Sequence, residues 1–298
     1  MNIQLATGPV SWGVDFADTP SNPPWLQVLD EIAASGLSVM ELGPVGYFPE
    51  APGVVRQLLA ERNLTSAGSF VFDDLHDPAA RTRLIDVTHR ACQVIAESGG
   101  AILSLIDKPD DVRVATAGRP DAAPRLSDER WAAMLDQIQV LADVARSHGV
   151  RPVVHPHAGG YIEFTDEIER LIGDSDLDLC LDTGHLAYAR IDPAAAIDRY
   201  ASRVGHMHFK DIRPDVLARV DAEHLTFWEA IEAGVFCPVG EGMVDIAAVL
   251  DALERIGYDG FATIEQDCVP GGGAPLDDVR KSVAVITNAR NAQRIETQ

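Results

Sequence analysis

Short apolar runs alternate along the chain with longer segments whose apolar residues recur at intervals of three and four. The first kind has the length of a buried strand, and the second has the spacing of an amphipathic helix. Strands are predicted at residues 3–10, 37–42, 65–72, 101–106, 150–154, at the run ending in Asp182, at the run leading into His208, and at 261–265. Helices are predicted between them. One begins at Trp25 and stops at Gly36; others cover 54–62, 79–98, the stretch between the Ser127 cap and Gly149, a short run to Ile172 capped by Thr165, 193–200, 226–233, 244–256 and 276–294. Residues 107–125, with Pro109, Gly118, Pro120 and Pro124, read as a polar loop.

Strand–helix alternation requires a parallel sheet covered by helices. Eight such units without a linker or low-complexity segment favour closure, so the expected fold class is α/β, one (β/α)8 TIM barrel spanning 1–298 as one domain. In that fold ligands sit at the carboxyl ends of the strands.

Composition narrows the partners. The net charge is −22, from 46 acidic and 24 basic residues. Such a surface argues against nucleic acid or an anionic membrane and leaves a small-molecule partner; a homo-oligomer is compatible with it. Cys92, Cys180, Cys237 and Cys268 are widely spaced without a CxxC, which predicts buried thiols in a reducing compartment. We expect neither a signal peptide nor a membrane span, and hence a cytoplasmic location.

The chemistry is concentrated where the predicted strands end. These positions carry Trp12, Glu41, Ser69, Ser104, His155 and His157, Asp182 and His185, His208 and Lys210, and Glu265. Unpaired charges buried there would cost several kcal/mol each, and a bound cation offsets that cost. His155 and His157 are two apart and point to one side of their strand. Of His206 and His208, we assign His208 to the barrel axis, because Lys210 and Asp211 continue from it into the loop, and His206 to the helices. Imidazoles mixed with carboxylates suit Mn²⁺, Co²⁺, Zn²⁺ or Fe²⁺ better than Ca²⁺ or Mg²⁺. Mn²⁺ or Co²⁺ is the ion we expect, with Zn²⁺ or Fe²⁺ as alternatives. Trp12 and Phe70 are candidates to wall the pocket against a sugar ring, or else packing residues. Glu41 reads either as an acceptor for a substrate hydroxyl or as an ion-pair partner of an arginine. Arg213 is a candidate for a substrate oxygen.

Several stretches carry a resemblance. Gly8-Pro-Val-Ser-Trp-Gly13, Glu41-Leu-Gly43, His155-Pro-His-Ala-Gly159, Asp182-Thr-Gly-His-Leu186, His206-Met-His-Phe-Lys-Asp-Ile-Arg213 and Glu265-Gln-Asp267 span almost the whole chain. Together they resemble the xylose-isomerase-like TIM barrel superfamily, and within it the inosose dehydratases and inosose isomerases. The resemblance implies a divalent metal held by His155, Asp182, His208 and Glu265. Much of the superfamily has Glu where this chain has His155. The sugar epimerases of the superfamily use two metal-bound carboxylates as a proton-transferring pair, and here only Glu265 of that pair remains.

The expected chemistry is proton abstraction next to the ketone of a polyhydroxylated substrate. His157, His185 and Glu265 are the candidate bases, and Lys210 or a histidine would protonate a departing hydroxyl. Loss of that hydroxyl gives dehydration of an inosose. Reprotonation gives epimerisation or isomerisation. A barrel that binds a polyol without catalysis is the remaining alternative.

Overall fold

A computed structural model describes residues 2–51 and 53–296. Ten strands are found among the described residues: β1 (Asn2–Thr7), β2 (Val39–Pro44), β3 (Thr65–Asp73), β4 (Ile102–Asp107), β5 (Arg151–Val154), β6 (Asp178–Asp182), β7 (Val204–Phe209), β8 (Asp211–Ile212), β9 (Phe236–Cys237) and β10 (Asp259–Ile264). Eight of them close into one parallel barrel in the order β1-β10-β7-β6-β5-β4-β3-β2, and β8 pairs with β9 as a short antiparallel ribbon beyond the end of β7. This is the expected TIM barrel. No helix among the described residues is long and apolar enough to cross a membrane.

The helices form where their apolar residues share one face. In Asp128–Ser147 the Ser127 hydroxyl caps the first turn by accepting from the Arg130 N–H. Trp131, Met134, Ile138, Leu141 and Ala145 are buried along one stripe. Each large side chain in it contributes about 1.5–3 kcal/mol by leaving water. The four cysteines are free, and three of them are buried.

The structure departs from the expected elements in a few places. β1 ends at Thr7, and Pro9–Trp12 forms a 3-10 turn instead of extending the strand. Pro9 has no N–H to add to the ladder, so the chain turns there. Thr165 starts its helix rather than capping it: the carboxylate of Glu167 takes the N–H groups of Glu163 and Phe164. The stretch 107–125 holds a short helix, Asp111–Val114, and a further helix, Pro214–Glu223, lies before the ribbon closes. The second was legible in principle from Pro214 at its first position and Val216, Leu217 and Val220 on one face.

One buried carboxylate organises the loop that follows β9. Asp211 is fully buried. Its Oδ1 accepts from the N–H groups of Ile212 and Val244, and its Oδ2 from those of Gly240 and Gly242, all at 2.8–3.0 Å. Removing it strands four backbone donors at about 1–3 kcal/mol for each one left dry. Asp211→Ala is therefore expected to lower unfolding free energy by at least about 3 kcal/mol in urea titration. An unchanged midpoint would show that water serves those donors equally well.

Candidate functional site

The ends of four neighbouring barrel strands converge on one cluster. His155 follows β5, Asp182 ends β6, His208 lies in β7 and Glu265 follows β10, and all four are buried. His155 Nε2 lies 3.8 Å from Asp182 Oδ2. His208 Nδ1 lies 3.6 Å from Asp182 Oδ2 and 3.1 Å from Glu265 Oε2. Four donors about 2.1 Å from a tetrahedral ion stand about 3.4 Å apart, so the spacing fits one divalent cation.

The unused atoms of the same residues strengthen the fit. His155 Nδ1 is spent on the Pro156 carbonyl at 2.9 Å, which turns Nε2 toward the cluster. Asp182 Oδ1 caps the helix Thr183–Tyr188 by accepting from the N–H groups of Gly184 and His185. Its Oδ2 and the Nδ1 of His208 are buried without a hydrogen-bond partner. His155 and Asp182 are thus each oriented by one polar atom and present another inward, and His208, whose Nε2 is held by Glu41 at 3.1 Å, does the same. Metal ligands are held in this way. These four residues could hold a divalent ion.

Beneath them is a second polar layer. Glu41 Oε1 accepts from His206 Nε2 at 2.6 Å, His208 Nε2 at 3.1 Å and the Thr263 hydroxyl at 2.7 Å. Burial alone would raise the Glu41 carboxyl, but the charge of His208 and the hydrogen bonds from both imidazoles hold it well below the usual range. Glu41 therefore meets imidazoles in the barrel interior, neither an arginine nor the pocket surface, contrary to the expectation of a substrate contact. His206 also faces the interior, which corrects its assignment to the helices: residues two apart on a strand share a face.

Lys210 is the cation of the site. Its Nζ lies 2.7 Å from Asp267 Oδ1 and 3.3 Å from both Asp182 Oδ2 and Glu265 Oε2. Burial disfavours its charge, but Asp182, Asp267 and Glu265 outweigh that and raise it above its ordinary value. Its Nζ also lies 2.9 Å from His185 Nε2. His157, His185 and Asp267 form a second cluster of metal-ligand type, and the ammonium of Lys210 stands among them where a second ion would go. Gly184 makes room for it, because a Cβ there would lie 2.6 Å from Lys210 Cγ.

Above the cluster is a pocket walled by Val10, Phe70, Phe72, Ile106, Phe227, Trp228 and Ile231, with Asp15, His155, His157, His185, Lys210, Glu265 and Asp267 as its polar lining. Phe16 stacks on Phe72 at 5.4 Å and meets the edge of Trp228 at 6.4 Å. His157 packs between Phe72 and Phe227 and lies 3.9 Å from the His185 ring. Its Nδ1 lies 3.0 Å from the Ala158 carbonyl, which can only accept, so the ring proton sits on Nδ1 and Nε2 carries a lone pair. Burial and the nearby charges of His155 and Lys210 push the His157 pKa well below its ordinary value, so the ring is neutral.

Phe70 lines the pocket as expected, whereas Trp12 and Arg213 do not. The Trp12 indole donates to Glu31 Oε2 at 2.6 Å and packs with Val28, Leu29 and Ile32, because the turn at Pro9 swings it onto the first helix. Arg213 donates to the Gly234 carbonyl at 3.1 Å and reaches Glu241 at 3.6 Å on a partly exposed face. Asp15, Phe72, Phe227 and Trp228 were not anticipated. Asp15 comes from an irregular loop, where no periodicity marks the inward side chain, whereas Phe72 lies at the end of β3 and Phe227 and Trp228 open the helix Phe227–Glu232. Asp267 was legible only as the last member of Glu265-Gln-Asp267.

The model of the xylose isomerase-like TIM barrel family matches residues 29–289. The chain belongs to that family. Relatives named inosose dehydratase include one from Lacticaseibacillus casei, 29% identical over 95% of both chains, and one from Serratia proteamaculans, 27% identical over 93% of this chain and 94% of that one. Among solved structures, a D-allulose 3-epimerase from Methylomonas sp. aligns with a TM-score of 0.71 at 18% identity, covering 97% of this chain and 98% of that one. The IOLI protein, described with a binding zinc atom, aligns at 0.72 and 12% identity over 96% of this chain and 98% of its own. Those two likenesses concern the fold. By its family and relatives the chain is an enzyme.

Proposed function

We propose that this family member is a divalent-metal-dependent lyase that dehydrates an inosose. The observation that carries the reading is the convergence of His155, Asp182, His208 and Glu265 beneath a neutral His157 in an aromatic-walled pocket. The inosose dehydratases that align along nearly the full chain supply the substrate class. A divalent ion held by those four residues would supply Lewis-acid polarisation of the ketone oxygen, and the zinc of the IOLI protein supports an ion of this kind.

The chain's own residues divide the remaining work. His157 Nε2, a free lone pair at the pocket wall, takes the proton from the carbon beside the ketone. General-base assistance of this kind is worth about 10²–10⁴ in rate. Lys210 is a fixed positive charge for the enediolate that results, pinned by three carboxylates and far above the range of a useful acid. His185, pushed well below its ordinary value by burial and the charge of Lys210, is neutral and braces the base. Phe70, Phe72 and Phe227 exclude water and offer apolar faces to the ring hydrogens of a polyol.

Epimerisation or isomerisation is the second reading, favoured by the epimerases among the structural neighbours. It needs a second proton-transferring group on the far face of the substrate. The resemblance places a carboxylate at the position of His155, whose inward nitrogen points instead into the ligand cluster.

Incubation with scyllo-inosose and Mn²⁺, Co²⁺ or Zn²⁺ tests this. A dehydrated diketone absorbs in the near ultraviolet, and an epimer does not. Solvent deuterium appearing beside the carbonyl without a diketone would support the second reading, and no exchange with any inosose or ketohexose would remove both. Glu41→Gln tests the second layer separately. It is expected to weaken metal affinity by about 10- to 100-fold while leaving the fold intact, as read by calorimetric titration. An unaltered dissociation constant would mean that Glu41 does not orient His208.

A further inference from the structure

We propose that Asp15 is the acid that protonates the departing hydroxyl, from the pocket wall opposite His157, an assignment that rests on the dehydratase reading above. Dehydration beside an enediolate needs two proton movements at two places, one at the carbon and one at the leaving oxygen. The loop after β1 carries Asp15 and the loop after β5 carries His157. In the closed strand order β1 and β5 are diametrically opposed, so the two loops face each other across the barrel mouth. Both side chains line the same pocket, and a ring held between them offers one face to each.

The other polar groups are committed elsewhere. Asp182 and Glu265 present oxygens to the ligand cluster, and Lys210 is tied to three carboxylates. Asp15 has no hydrogen bond or ion pair among the described residues. Its surroundings favour the neutral acid: burial and the charges of Asp267 and Glu265 push its pKa up to about 8, with Lys210 opposing them. A carboxyl withdrawn from water and without a bonding partner favours its neutral form, the form that a general acid needs.

The step balances without a co-reactant. The α-proton passes to His157 Nε2, its bonding pair becomes the enediolate π bond, and the carbonyl π pair moves onto the ketone oxygen. The oxygen's pair then re-forms the carbonyl, and the enediolate π pair forms the new carbon–carbon double bond as the β-carbon–oxygen bond breaks. The leaving oxygen keeps the pair of the broken bond, takes the Asp15 proton and departs as water. His157 returns its proton to solvent and Asp15 recovers one, so no net proton is consumed.

The test follows two signals from scyllo-inosose with Mn²⁺ in D₂O: deuterium entering beside the carbonyl, by NMR, and diketone absorbance. Asp15→Asn is expected to keep exchange within about threefold of wild type while elimination falls by about 10²–10⁴, and Asp15→Glu to recover part of that loss. Elimination at the wild-type rate in Asp15→Asn would overturn the assignment. So would equal loss of exchange and elimination in both variants, which would place Asp15 in binding or folding. Wild-type protein that exchanges without eliminating would overturn the dehydratase reading, and this assignment with it.

Discussion

Asp182→Ala is expected to abolish stoichiometric binding of a divalent ion and to lower kcat/KM by on the order of 10³ or more. Lewis-acid stabilisation is worth several kcal/mol, and each 1.4 kcal/mol is about tenfold in rate. The same side chain caps the helix Thr183–Tyr188, so part of any effect could be structural at about 1 kcal/mol. Asp182→Asn separates the two roles. An amide oxygen can still accept from the N–H groups of Gly184 and His185, but the charge facing His155 and His208 is gone. The asparagine variant should melt near the wild-type temperature yet retain little metal after dialysis, as read by elemental analysis. Full metal occupancy in the alanine variant would show that these four residues do not form the ion site.

Lys210→Met is expected to cost about 3–5 kcal/mol in stability, because it leaves Asp182, Glu265 and Asp267 buried around a neutral side chain. Turnover should fall by about 10²–10³ from loss of the charge facing the enediolate. Saturating metal should restore part of the stability, since a ligand bound only by the folded state shifts the unfolding equilibrium toward it. Urea titration with and without Mn²⁺ checks both statements. A methionine variant as stable as wild type without metal would mean that the three carboxylates carry their protons when the ammonium is absent.

The barrel itself was legible in the chain. Parallel strands buried on both faces read as continuous apolar runs, and polar residues interrupting such runs at one end mark the mouth. His155, Asp182, His208 and Glu265 are among the positions marked in that way. The family resemblance singled out these four as a set, and the structure brings their ligand atoms within 4.8 Å of one another. Orientation was harder to read. Trp12 lies just beyond a strand end like the others, but the turn at Pro9 makes it a partner of the first helix. Glu41 sits too deep to reach the pocket, and depth along a strand is set by how far each strand is staggered against its neighbours. Arg213 follows the inward Lys210 by three residues, across a ribbon that redirects the chain. The spacing of His206 and His208 already required both to face the same way. Asp15 left no mark, because loops carry no period from which a direction can be taken.

The near contact between position 184 and the lysine stem links two sites far apart in sequence. Any side chain at 184 would have to displace Lys210. Substitution at either position alone should therefore be costly, while a paired exchange, a small side chain at 184 with a shorter residue at 210, restores the volume. Across related barrels these two positions should vary together. A relative with a bulky residue at the first and lysine at the second would need its helix after β6 displaced from the place it occupies in this fold.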